Sequence, residues 1–130
     1  MSVRYKVITR VNPQNPGAPK KYYPQVQNAG KVGIREMAND AAKMSTLSPI
    51  DIAAAVEAFL EIVPGKLADG KTVEMGDFGT FRLRVHTEGS DTAEEVTSRN
   101  ITKTTMTFRP GKQAQKSLDE IVYEKIKSEG

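Results

Sequence analysis

The chain has no cysteine and no tryptophan, one histidine (His86), and aromatic residues at only 6%. Without cysteine there are no disulfides, thiolate metal sites, redox motifs or thiol nucleophiles. A single histidine argues against a histidine-rich metal site and against a histidine-paired catalytic arrangement. Long apolar runs are missing as well. The longest, Ile52 to Val56, is far shorter than the roughly 20 residues a membrane span needs. No export-type leader stands at the front, so the expectation is a soluble, intracellular, cytoplasmic chain. Nor does a carboxylate pair, a nucleophile beside a base, or a phosphate-cradling glycine loop stand out. The reading is therefore not an enzyme, with no cofactor, no metal and no small-molecule substrate.

What is present is unevenly distributed. The 130 residues predict a single domain with 38% hydrophobic residues and a mean hydropathy of −0.48. Cores this thin are often completed by a partner subunit. The net charge of +3 is mild. Yet residues 1–31 carry Arg4, Lys6, Arg10, Lys20, Lys21 and Lys31 and no acid, so the other 99 residues sum to −3. The basic character sits in the first quarter of the chain.

Periodicity sketches the elements. Residues 3–11 alternate, with Val3, Tyr5, Val7, Thr9 and Val11 against Arg4, Lys6, Ile8 and Arg10, which predicts a strand with one basic face. Asn12 to Pro19 is loop; its three prolines suit a stiff connection, or alternatively a polyproline II ligand. Lys20 to Gln27 resumes as a strand that Pro24 restricts to an edge or a strand end. Ile34, Met37, Ala38, Ala41 and Met44 form a helical stripe. Ser48-Pro49-Ile50-Asp51 is a helix start, with Ser48 as cap and Asp51 at the positive end of the dipole. Ile52, Val56, Phe59, Leu60, Val63 and Leu67 share a face of that second helix, and Pro64-Gly65 predicts a kink or break near Val63.

Beyond Gly70 the period changes to two. A short strand spans 71–75 and a tight turn 76–79, in which Asp77 is a turn residue. A strand over 80–85 sets Phe81, Leu83 and Val85 against Arg82 and Arg84. A polar, acidic stretch covers 86–99. A strand over 100–108, a helix over 112–118 and a possible last strand over 121–127 complete the order. Two helices followed by a three-stranded antiparallel sheet is an α+β plan.

Three stretches, in order and at matching spacing, are similar to the HU and integration-host-factor family of bacterial histone-like DNA-binding proteins. They are Leu47-Ser48-Pro49 with Ala55 to Leu60; Gly70 to Phe81, containing Gly-Asp-Phe-Gly-Thr-Phe; and Phe108-Arg109-Pro110-Gly111-Lys112. The basic front and the tail make the likeness one to an extended, divergent HU-like subgroup. The resemblance implies an HU-like core over residues 32–118. It has a β-ribbon arm at about 82–107, a front β-hairpin over 1–31 and a tail over 119–130.

It also implies an intertwined homodimer with Phe59, Phe78 and Phe81 in the dimer core. Its partner would be double-stranded DNA of the bacterial nucleoid, bound mainly through phosphates with little sequence specificity. The positions implied for DNA are Arg82, Arg84, Arg99, Lys103, Arg109, Lys112 and Lys116, joined by Arg4, Lys6, Arg10, Lys20 and Lys21 of the front. His86 can hydrogen-bond a phosphate or simply be exposed; Tyr22 and Tyr23 can stack on bases or pack a hairpin face.

The arm departs from the family's pattern. Where the family carries Arg-Asn-Pro near its tip, this chain has Glu88 to Glu95 with no proline, and four acids against Arg99 and Lys103 between His86 and Thr107. Acids along a phosphate backbone repel it. The alternative reading is an HU-like scaffold used for protein–protein interaction, with weak or no DNA binding.

Overall fold

The computed structural model describes residues 2–127, which fall into two compact units. One contains residues up to 31 together with those from 117 onward; the other contains residues 32–116. The architecture is α+β, with three α-helices and two three-stranded sheets.

In the first unit, β1 (Ser2–Arg10) is the central strand. β2 (Lys21–Val26) pairs with it antiparallel and β6 (Val122–Lys125) pairs with it parallel. Pro24 therefore lies on an edge strand, where its missing N–H breaks no ladder. The tail strand falls within the expected 121–127; residues 128–130 of the 119–130 tail lie outside the described residues.

The loop from Asn12 to Pro19 is not a polyproline helix. The amide of Asn15 donates to the Asn12 carbonyl and that of Ala18 to the Asn15 carbonyl, at 3.1 and 3.0 Å. Asn12 Oδ1 also accepts from the Gln14 amide. A polyproline II segment has no such internal bonds. Asn12 and Asn15 fold the prolines into two successive turns instead.

In the second unit, α1 (Ile34–Lys43) packs on α2 (Pro49–Ala68). Ser48 Oγ accepts from the Asp51 amide at 3.2 Å, and Pro49 occupies the first helical position, so the chain enters α2 as its sequence anticipates. The expected break at Pro64 does not occur: α2 runs unbroken to Ala68. Pro64 removes one bond, to the Leu60 carbonyl, at a cost of about 3 kcal/mol. The turn that follows carries Leu67, which is 3% exposed, and burying such a side chain returns roughly 1.5–3 kcal/mol. α2 then leads through β3 (Val73–Glu74) and a 3-10 turn (Gly76–Phe78) into β4 (Gly79–Thr87) and β5 (Ile101–Pro110). The sheet order is β3-β4-β5, all antiparallel. α3 (Lys112–Asp119) follows.

The base of the β4–β5 ribbon is where the two motif stretches meet. The Gly111 amide donates to the Phe78 carbonyl at 2.9 Å. The ring of Phe108 lies 5.0 Å from Phe78 and 4.8 Å from Phe81, tilted against both, a favourable aromatic geometry. Both glycines are required by space. A Cβ on Gly111 would run into the Asp77 carbonyl. A Cβ on Gly79, whose φ is +153°, would run into the Phe108 ring and the Arg109 carbonyl.

Substituting Gly79→Ala or Gly111→Ala is expected to cost about 1–3 kcal/mol through overpacking. Gly89→Ala, which meets nothing within 4 Å, should stay within about 0.5 kcal/mol of the parent. Denaturant midpoints of the three variants measure the difference.

Candidate functional site

The ladder of the arm decides which side chains share a face. Residues directly opposite one another in an antiparallel pair point the same way, and successive residues alternate. Thr80 pairs with Arg109, Arg82 with Thr107, Arg84 with Thr105 and His86 with Lys103. One face of the ribbon is thus Arg82, Arg84, His86, Lys103 and Arg109, separated by threonines. The other is Phe81, Leu83 and Val85 opposite Phe108, Met106 and Thr104. On β3, Glu74 pairs with Thr80 and so is the acid that borders the basic face. None of these cations makes an ion pair with another described residue, so their charge is available.

The structure therefore brings Arg82, Arg84, Lys103 and Arg109 together on one surface, and adds His86. Lys112 and Lys116 lie one turn apart on α3, a spacing that puts both on one side of the helix. Arg99 is elsewhere, in a 3-10 turn at the arm's tip (Ser98–Asn100). The front residues form their own group. Arg4, Lys6 and Arg10 alternate along β1, and Lys21 pairs with Arg10; Lys20 lies in the preceding loop.

The cationic ladder stops abruptly. A register shift after His86 pairs Thr87 with Ile101 and leaves Thr102 as the extra residue of a bulge, with its hydroxyl donating to the His86 carbonyl at 3.2 Å. Beyond it, Asn100 closes the tip. Its side-chain amide donates to the Glu88 carbonyl and Ser90 Oγ, both at 2.8 Å. Its Oδ1 accepts from the Thr97 amide at 2.9 Å, and its own carbonyl accepts from the Glu88 amide at 2.7 Å. Glu88, Asp91, Glu94 and Glu95 sit on this built tip. Asn100 was not among the residues singled out from sequence, although Thr-x-x-Asn at 97–100 is a helix-start pattern that signals it.

Phe59 and Phe78 are 54% and 56% exposed, and Phe81 is half-buried. The hub of the aromatic cluster is Phe108, which the sequence places in a motif and on one side of a strand with Thr104 and Met106, but not among the core aromatics. Among the described residues no cluster of His, Asp and Glu could hold a metal ion, and no helix is long and apolar enough to cross a membrane.

The sequence matches a protein-family model, HU-HIG, described as an HU domain fused to wHTH, Ig, or glycine-rich motif, over residues 1–125. A solved structure of a candidate bacterial DNA-binding protein from Bacteroides vulgatus is similar with a TM-score of 0.65 at 10% identity. The match covers 95% of this chain and 48% of that one, so this chain spans about half its length. A search of curated proteins gave no match.

Asn100→Ala should loosen the tip without unfolding the ribbon. Amide hydrogen exchange at Glu88, Val96 and Thr97, which donate within the tip, is expected to accelerate at least tenfold, while the amides of 80–86 keep their protection.

Proposed function

The chain belongs to the HU-HIG family, HU domains fused to other modules, and on that premise we propose that it binds duplex DNA of the bacterial nucleoid as a homodimer, with little sequence specificity. The observation that carries this reading is the unpaired basic face of the β4–β5 ribbon, Arg82, Arg84, Lys103 and Arg109 with His86. These cations alternate with threonines and suit the charge of phosphate oxygens. Phosphate contacts position a protein on DNA and carry no sequence information. Lys112 and Lys116 add two more cations in the same unit. The proline-free tip offers no wedge between base pairs, so bending by intercalation is not part of the proposal.

The dimer is argued from surface. α2 carries large apolar side chains well beyond its packed face: Ile52, Val56, Val63 and Leu67 face inward, while Ile50, Phe59, Leu60 and Ile62 are exposed. Exposed apolar side chains gathered on one element mark an interaction surface. Ala38 and Leu67 are the only buried hydrophobic side chains among the described residues. Two separate compact units of these sizes would together expose roughly 8,000 Å², whereas the chain exposes 11377 Å². The excess is about 3,000 Å² per chain, or about 6,000 Å² over a pair, at the upper end of what permanent homodimers bury.

The ordered acidic tip favours one second reading, an HU-like scaffold whose arm recruits a basic protein and which holds DNA weakly. The two readings separate in a binding titration.

Fluorescence anisotropy with duplexes of unrelated sequence should give affinities within a few-fold of one another and a steep fall with salt. Replacing Arg82, Arg84 and Arg109 by Ala together should make the log–log salt slope shallower by about 2.7 for each protomer that contacts the duplex, at 0.9 per phosphate contact, and so by about 5.4 when both arms of the dimer engage. Absence of binding at about 50 mM salt by a confirmed dimer overturns the DNA reading and leaves the scaffold. Sedimentation should show a dimer, and Phe59→Glu should convert it to monomer or prevent folding; a monomeric parent chain refutes the dimer.

A further inference from the structure

The front sheet also has two unlike faces. On one, Val3, Tyr5 and Val7 of β1 lie with Pro24 and Val26 of β2 and Tyr123 of β6. On the other, Arg4, Lys6, Ile8 and Arg10 lie with Lys21, Tyr23 and Gln25 of β2 and Val122 and Glu124 of β6. The second face carries four cations and one carboxylate, Glu124, which is in register with Arg4. None of the four cations makes an ion pair with another described residue. At about 6.8 Å between alternate strand residues, Arg4, Lys6 and Arg10 span roughly 20 Å.

One end of this stripe is shaped. The Arg10 guanidinium sits over the Tyr23 ring at 5.4 Å, a cation–π contact that holds the charge on the face. Lys21 lies directly across from Arg10. Arg10, Asn12, Lys21 and Tyr23 help line a hollow of about 450 Å³ at the hairpin's loop end.

We infer that this basic face is a second phosphate-binding surface for duplex DNA, separate from the arm. The inference rests on the DNA-binding reading above and extends it to a unit that lies outside the arm and its helices. The charge argument is specific. Four cations without an ion-pair partner and one acid among them, aligned on one strand face, are electrostatically matched to a polyanion with one charge per about 1.7 Å of axis. Lys20, in the loop, is not part of the aligned set. The apolar face plays no role in it.

The test compares three full-length proteins on a labelled duplex of about 40 base pairs across a salt series. They are the parent, a front variant with Arg4, Lys6, Arg10 and Lys21 replaced by Gln, and the arm variant with Arg82, Arg84 and Arg109 replaced by Ala. The front variant is expected to bind at least about 10³-fold more weakly at 0.1 M salt, with a slope shallower by roughly 3 to 4 for each protomer that contacts the duplex. The arm variant should keep a residual, salt-dependent affinity that the combined variant lacks. A second front variant, combining Lys6→Arg with Lys21→Arg and leaving Arg4 and Arg10 in place, keeps the charge and should bind like the parent. It separates loss of charge from loss of fold.

A front variant with parental affinity and slope overturns the inference while the arm reading stands; it would then fit a face for an acidic protein. A parent that does not bind DNA overturns both. An arm variant with no residual binding, beside an unaffected front variant, places all contacts on the arm and also overturns the inference.

Discussion

The arm depends on how closely two backbone segments approach at its base. Gly111 lies against the Asp77 carbonyl, and Gly79 lies under the ring of Phe108. The Gly111 amide to Phe78 carbonyl hydrogen bond and the tilted rings of Phe78, Phe81 and Phe108 lock the approach. That junction sets the pairing of Gly79 with Pro110, and from there the ladder runs in step to His86 and Lys103. In a strand pair, a slip of one residue exchanges the two faces. Here it would put Arg82 and Arg84 on the side of Phe108 and Met106. The basic face is thus a consequence of two glycines, neither of which carries charge.

The end of that face is also local in origin. The bulge after His86 breaks the step, and Asn100 folds the following dozen residues into a tip of its own, held by four hydrogen bonds. The acids of 88–95 are therefore confined beyond the bulge and do not interleave with Arg82 and Arg84. The repulsion expected between an acidic arm and a phosphate backbone applies to the tip, while the shaft keeps its positive potential. At an ionic strength of 0.15 M charges are screened over about 8 Å. The shaft's side chains therefore respond mainly to their immediate neighbours, the threonines, and little to the tip.

Much of this was legible from period and punctuation. Alternation separated Arg82 and Arg84 from Phe81, Leu83 and Val85, and Arg4, Lys6 and Arg10 from Val3, Tyr5 and Val7. The Ser48-Pro49 start and the edge placement of Pro24 followed from local stereochemistry. What sequence could not supply was long-range. The joining of Lys103 and Arg109 to the face of Arg82 needs the ladder's register. The position of Phe108 between two other rings needs the hairpin closed. The role of Asn100 needs Glu88 brought back twelve residues along the chain. Pro64 misled for a related reason: its penalty is local, whereas the burial of Leu67 that offsets much of it comes from the packing of α2 on its neighbours. The proline-rich loop is the connection between two strands that its composition suggests; what the prolines alone do not specify is the pair of turns supplied by Asn12 and Asn15.

The small net charge has a structural reading. Binding to phosphates is governed by cations that are free and share a surface, not by the chain's total. Counted by surface, the ribbon face carries four permanent cations with Glu74 at its border, and the front face carries four with Glu124. The acids that cancel them lie at the arm's tip and along the helices, where Glu57 and Glu61 of α2 and Asp40 of α1 are solvated. Segregation of this kind gives two positive surfaces to a chain whose sum is +3. It also leaves acidic surfaces that repel nonproductive contacts with a polyanion.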